Sequence, residues 1–142
     1  VILLDTNVIS ETMRAVPEPR VIAWLDAQAV ETLYLSTISL AELLLGIAVL
    51  PDGRRKTQLE LGLEDKAAAL FGPRLLPFDT AAARAYADII SRARTAGRAI
   101  GVADGQIAAI AAACGLIVAT RDTAPFEAAG VAVVNPWVGL VN

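Results

Sequence analysis

The sequence predicts an α/β fold whose sheet is short, mostly parallel and covered by helices on both faces. Three observations predict it: an all-apolar run at Val1–Leu4, further short apolar runs at Thr32–Ile38, Leu116–Ala119 and Val131–Val134, and helix-period segments between them. An all-apolar strand is buried on both faces, which suits a parallel sheet between helical layers. Strands that alternate with helices imply crossovers on both sides of such a sheet. At 142 residues the chain fits one domain spanning residues 1–142. That length buries roughly two thirds of the surface that the unfolded form exposes.

Each element has its own justification. Val1–Leu4 is the first strand, and Asp5-Thr6-Asn7 turns the chain into a helix around Val8–Arg14. Pro17 and Pro19 punctuate before a second helix over Pro19–Gln28, which sets Val21, Ile22, Trp24 and Leu25 to one side. Thr32–Ile38 suits a pleated surface through Leu33, Tyr34, Leu35 and Ile38. Ser39 opens a helix that runs to Leu50, where Pro51 and Gly53 stop it. A more charged helix covers Arg54–Phe71 until Gly72-Pro73 ends it before the apolar Leu75–Phe78. Asp79 caps a long helix to about Ala96, and Gly97 is its natural stop. Ala103–Ala113 is the last long helix, closed by Gly115, and the strands at Leu116–Ala119 and Val131–Val134 follow. The chain shows no internal repeat and no low-complexity linker.

Twelve basic against fifteen acidic residues give a net charge of -3 and a pI near 4.9. That balance excludes a protein that holds nucleic acid tightly by global electrostatics alone. Local clusters exist at Arg54, Arg55 and Lys56, which read as a solvated helix face, and at Arg92, Arg94 and Arg98, just before Asp104. An apolar fraction of 56% with mean hydropathy +0.57 is high for a soluble chain. The most apolar stretch, Ile100–Val118, is broken by Asp104 and three glycines and does not read as a membrane span. The surplus instead suggests buried interfaces. No basic segment leading into an apolar core is evident near residue 1, so a reducing cytoplasm is the expected location. Cys114 has no partner for a disulfide and is expected to be a small buried apolar residue.

Four acids stand where an apolar segment stops or a helix starts: Asp5, Glu42, Asp104 and Asp122. Each has a plain explanation. Asp5 suits an N-cap, and Ser39-Leu40-Ala41-Glu42 matches a capping box. Asp104 suits a helix macrodipole, and Asp122 before Thr123-Ala124-Pro125 suits a turn. Asp79 is fully explained as a cap and carries no chemistry. Ligands in parallel sheets gather at the carboxyl ends of the strands, so the topology predicts that the four converge. Ionised acids beside apolar surface need a compensating cation, and the chain contains no histidine. A hard divalent ion such as Mg²⁺, which prefers carboxylate oxygen and water, is the economical answer.

In combination the motifs resemble a known family. Asp5-Thr6-Asn7 after a strand, Ser36-Thr37-Ile38-Ser39-Leu40-Ala41-Glu42-Leu43, Val102-Ala103-Asp104-Gly105-Gln106-Ile107-Ala108-Ala109 and Ala119-Thr120-Arg121-Asp122 are similar in order and spacing to PIN-domain ribonucleases. The likeness is to the VapC toxin branch of type II toxin-antitoxin pairs, and it spans nearly the whole chain. It implies a three-layer α/β/α sandwich, a Mg²⁺ or Mn²⁺ site and cleavage of RNA phosphodiester bonds. By position, Asp5, Glu42, Asp104 and Asp122 match the family's acidic cluster, with Asp5, Asp104 and Asp122 toward the metal. Asn7 and Thr120 match its accessory polar positions, and Arg92, Arg94 and Arg98 become candidate RNA contacts. The resemblance further implies a VapB-like antitoxin that covers the site, operator DNA bound only through that antitoxin, and a homodimer or toxin-antitoxin hetero-oligomer. The helices around Trp24 and Leu25 and around Leu43–Leu50 are candidate partner surfaces, although core is the simpler reading of most of those residues. Two departures from the family pattern stand out. Pro125 replaces a further acid, which argues against a second metal site, and Gly105 is expected to loosen the first turn of its helix.

Two other classes compete. A haloacid-dehalogenase-like phosphatase would use Asp5 as nucleophile, but its Asp-x-Asp pattern meets Asn7 here. A non-catalytic PIN-like scaffold would serve only a DNA-binding repressor complex, its acids binding the partner's arginines. No Gly-x-Gly-x-x-Gly follows the first strand, which sets dinucleotide binding aside.

Overall fold

Strand β1 (Ile2–Leu4) sends consecutive side chains to opposite faces of the sheet, and both faces are covered. Leu3 joins a core with Val118, Ile107, Ile110 and Phe126, while Leu4 joins another with Val8, Val21, Trp24, Leu35 and Phe71. A computed structural model describes residues 1–138 and shows what produces these two cores. The other strands are β2 (Leu33–Ser36), β3 (Leu75–Leu76), β4 (Ile117–Ala119) and β5 (Val133–Val134). They form one sheet in the order β3-β2-β1-β4-β5, and every pairing is parallel. The sheet is thus wholly parallel, as the all-apolar first strand requires.

One helical layer contains α1 (Thr6–Thr12), α2 (Pro19–Asp26) and α4 (Arg54–Phe71), which supply Val8, Val21, Trp24 and Phe71 to the Leu4 core. The other contains α5 (Thr80–Thr95), α6 (Val102–Cys114) and α7 (Ala124–Ala128) around Leu3. Helix α3 (Thr37–Ala48) follows β2 directly and packs against α1, α4 and α6. The result is the three-layer sandwich that the resemblance implies. Helix α6 is buried from Ile107 through Ala111, which explains the apolar stretch without a membrane. No helix of the described residues is long and apolar enough to cross one.

The caps follow the sequence where a polar side chain has an obvious duty. Asp79 accepts the N–H of Ala82 at 2.9 Å as the cap of α5, and Gly115 ends α6 in the left-handed conformation at φ 67°. Three expectations need correction. Strand β2 stops at Ser36 rather than Ile38, because the Ser36 hydroxyl accepts Ser39 N–H at 3.0 Å and starts α3 early. Cys114 is exposed, since the last turn of α6 leaves the core before Gly115. Gly105 tightens rather than loosens its helix: a Cβ there would stand 3.0 Å from both Ile90 Cδ1 and Tyr86 Cε2. The bare backbone lets α5 lie close against α6. Gly105→Val should therefore destabilise the fold by about 1–3 kcal/mol through overpacking, read as a lowered denaturation midpoint with an unchanged m-value.

The strand order carries the functional consequence. From β1 the chain steps one way to β2 and β3, and from β1 the sheet continues the other way to β4 and β5. The crevice beyond the carboxyl end of β1 is where loops diverge and a ligand can enter.

Candidate active site

Asp5 lies at the floor of that crevice. Its backbone N–H continues the sheet to Ala119 O at 2.9 Å, so the side chain leaves the strand at a fixed point. The carboxylate caps α1 through Thr6 N–H at 2.8 Å and is 5% exposed. The cap and the candidate catalytic role are thus the same residue in the same rotamer. Thr120, one residue past β4 and fully buried, donates its hydroxyl to Asp5 Oδ2 at 2.8 Å and accepts Asp122 N–H at 3.0 Å. Asn7 completes the group: its amide nitrogen lies 3.4 Å from Asp5 Oδ2 and 3.3 Å from Thr120 Oγ1, and its oxygen accepts Arg121 N–H at 3.3 Å. Asn7 and Thr120 therefore orient Asp5 and tether the turn that carries Asp122.

Glu42 reaches the same rim from α3. The capping-box explanation fails, because Ser36 is the cap and Glu42 sits in the second turn. Its Oε1 instead accepts the Thr6 hydroxyl at 2.6 Å, linking α3 to the start of α1. Thr6 Oγ1 also lies 3.0 Å from the buried Ser39 Oγ. From the sequence Ser39 reads only as a helix cap and Thr6 only as part of a turn; the usable signal is Asp5-Thr6 paired with Ser36-Thr37-Ile38-Ser39, two hydroxyl-bearing turns at adjacent strand ends. Asp104 enters from the first turn of α6, half-buried.

The Asp5 carboxyl is pushed up to about 6, chiefly by burial and further by the charges of Asp104 and Glu42, against the pull of its hydrogen bonds from Thr120 and Thr6. Asp104 is also raised, first by burial and then by Asp122 and Glu42. Among the described residues none of the four is in an ion pair. The described acids do not stand close enough, three at a time, to grip one ion as they are. Their oxygens are hard and undercompensated, and Mg²⁺ commonly binds through one or two carboxylates while keeping several waters. The donor set fits such an ion.

The arginine cluster divides. Arg98 lines a cavity of about 390 Å³ with Asp104, whereas Arg92 is spent on an exposed bond to Asp88 at 2.9 Å and Arg94 borders a neighbouring cavity with Tyr86. Pro125 lines the Asp104 cavity and brings no carboxylate to it. Arg55, read from the sequence as part of a solvated face, lies in a second cleft with Thr6, Glu42 and Arg14.

A wholly parallel five-stranded sheet in this order, with acids from β1, α3, α6 and the β4 turn at one crevice, defines a PIN domain; a family model of that description matches residues 2–131, and the chain belongs to this family. Within it the chain is similar to VapC ribonuclease Y4jK of Sinorhizobium fredii, 54% identical over 136 residues that cover 96% of this chain and 97% of that one. Toxin FitB of Neisseria gonorrhoeae is also 54% identical, over 96% of this chain and 98% of its own length. A solved structure described as FitAB bound to IR36 DNA fragment superposes with a TM-score of 0.94 at 51% identity, covering 100% of this chain and 99% of that chain.

Proposed function

We propose that the chain is a metal-dependent endoribonuclease, the toxin of a VapBC- or FitAB-like type II pair, acting in the cytoplasm. The observation that carries the reading is the group of four acids at one crevice, two of them with raised carboxyl pKa values and none in an ion pair among the described residues. Kinship with a protein named VapC ribonuclease supports the same reaction. Asp5 and Asp104, with Asp122 directly or through water, would hold Mg²⁺ or Mn²⁺. Once bound, such an ion acidifies a coordinated water and neutralises charge on phosphate oxygens. Glu42 has Oε1 engaged by Thr6, which leaves Oε2 to orient the attacking water and take its proton. Thr120 and Asn7 hold Asp5 in register, and Arg98 faces the phosphate chain from the Asp104 side. With Pro125 in the site, a single ion is the economical arrangement.

The dehalogenase-like alternative finds no second acid, because Asn7 uses its amide on Asp5, Thr120 and Arg121. A FitA- or VapB-like antitoxin would be the partner, and operator DNA would be reached through it, in keeping with a net charge of -3 and with the DNA-bound FitAB relative. Trp24 and Leu43 belong to the core, but Leu45 and Val49 stand 64% and 73% exposed along one side of α3. That strip suits the antitoxin or a second copy of the chain.

The test is cleavage of single-stranded RNA by purified protein with Mg²⁺ or Mn²⁺, with chelator, and with Asp104→Asn. Expected is metal-dependent cutting that the variant loses, together with a melting temperature raised by the metal. At a hundredfold excess over its dissociation constant the ion adds about 2.7 kcal/mol to stability. RNA ends shared by wild type and Asp104→Asn would sink the assignment.

A further inference from the structure

We infer that the cleft bounded by α1, α3 and α4 is a nucleotide subsite, seating the RNA nucleotide that flanks the scissile phosphate on the Glu42 side, with Arg55 and Arg14 at its phosphate. The inference rests on the ribonuclease reading and adds the direction in which the strand leaves the acids. The cleft holds about 240 Å³ and shares Thr6 and Glu42 with the acid cluster, so whatever occupies it adjoins the reacting phosphate.

Three features point to a nucleotide. The first is electrostatic: four carboxylates repel an RNA backbone, and a substrate needs fixed cations on either side of them. Arg98 stands beside Asp104 on one side, and Arg14 and Arg55 border the cleft on the other. The second is that these guanidiniums are placed but not used up. Arg55 Nη2 donates to Met13 O at 3.2 Å, which carries the side chain from α4 across to the end of α1. Arg14 is steered by Nη1, 3.1 Å from Glu11 Oε2. A planar guanidinium fixed on one edge offers its other N–H groups to a phosphate.

The third feature is Gly46. It lies inside α3, where glycine costs roughly 1 kcal/mol relative to alanine, and its φ is not positive. No heavy atom stands within 4 Å of a Cβ built there, so no neighbour requires its small size. What its missing side chain does is leave the cleft floor bare between Leu43 and Ile47, as a ribose or base lying flat on the helix would need.

Single-stranded oligonucleotides that differ by one nucleotide on either side of the cut test this, in cleavage by the metal-loaded chain and in binding to Asp104→Asn protein. Arg55→Gln should weaken binding about five- to tenfold at low salt, the size of one screened charge-assisted contact. It should also reduce the slope of log affinity against log salt by roughly 0.7, one phosphate on a single strand. Gly46→Leu should weaken binding as much with the slope unchanged and the melting temperature kept or raised, because leucine favours helix and the space is empty. Shortening the RNA by the flanking nucleotide should abolish both differences. If both variants fold and bind every RNA as the parent does, the subsite is wrong while the nuclease stands. Normal RNA binding with affinity lost only for the antitoxin would reassign the cleft to protein and equally overturn the proposal. A parent that cuts no RNA with either metal is a different result, and it strikes the ribonuclease reading itself.

Discussion

Asp5→Asn is expected to reduce RNA cleavage at least a thousandfold while making the metal-free fold more stable at neutral pH. The two effects have opposite signs because one carboxylate causes both. Its folded pKa is raised from 3.8 to about 6, so the folded state binds this proton more tightly than the unfolded chain does. The contribution of Asp5 to stability is therefore greatest below pH 4, falls as pH rises from about 4 to 6, and levels off above that. At 1.36 kcal/mol per pH unit, ionised Asp5 costs the folded protein about 3 kcal/mol at pH 7. Asparagine keeps the shape and an oxygen for Thr6 N–H, and it removes the charge. Urea midpoints of metal-free protein from pH 4 to 8 should thus slope downward for wild type and clearly less steeply for the variant, which keeps only the raised carboxyl of Asp104. The loss of cleavage follows from removing a charged oxygen donor and its bound ion from the phosphate, each a contribution of several kcal/mol to the transition state. Equal slopes for the two proteins would mean that Asp5 is not the strained carboxyl of the site. Cleavage that survives the substitution would move the chemistry elsewhere.

The layered fold was legible because it depends on period and punctuation. Leu3 and Leu4 could only be buried on opposite faces of the sheet, and Gly97 and Gly115 follow helix ends in the left-handed conformation. Asp5, Asp104 and Asp122 stand out as candidates because each follows a strand end or opens a helix, whereas Glu42 lies a turn inside α3. What was not legible depends on three-dimensional approach. Glu42 looked like a capping partner of Ser39 because the spacing is right, but Ser36 had already capped the helix and freed Glu42 to meet Thr6, 36 residues away. Gly105 looked like a weak point because sequence cannot show Tyr86 and Ile90 pressed against it. Arg55 looked like solvated surface for the same reason: the carbonyl that orients it belongs to Met13, at the end of α1, three helices earlier in the chain. Of Arg92, Arg94 and Arg98, only Arg98 lies beyond the end of α5, where the turn at Gly97 brings it to the Asp104 cavity, and Arg92 instead meets Asp88 one turn back.

Thr120→Val is expected to lower cleavage about 10- to 100-fold and stability by about 1–3 kcal/mol, with Thr120→Ser restoring most of both. The hydroxyl has one hydrogen and two lone pairs, and all are in use: it donates to Asp5 Oδ2 at 2.8 Å and accepts Asp122 N–H at 3.0 Å and the Asn7 amide at 3.3 Å. Valine has nearly the same volume, so the packing at this fully buried position persists while three polar groups lose a partner. Asp122 N–H is orphaned, which frees the turn that aims the Asp122 carboxylate. Asp5 loses the strongest of the interactions that hold its pKa down, so its carboxyl rises further and the acid limb of the pH–rate profile moves to higher pH. That shift separates a positioning role from a merely structural one, because a fold that is only weakened lowers the melting temperature without displacing the limb. Serine supplies the same hydroxyl without the methyl group and should return the limb to its wild-type pH. A valine variant with lowered stability and an unmoved profile would show that Thr120 holds up the sheet edge and leaves Asp5 to others.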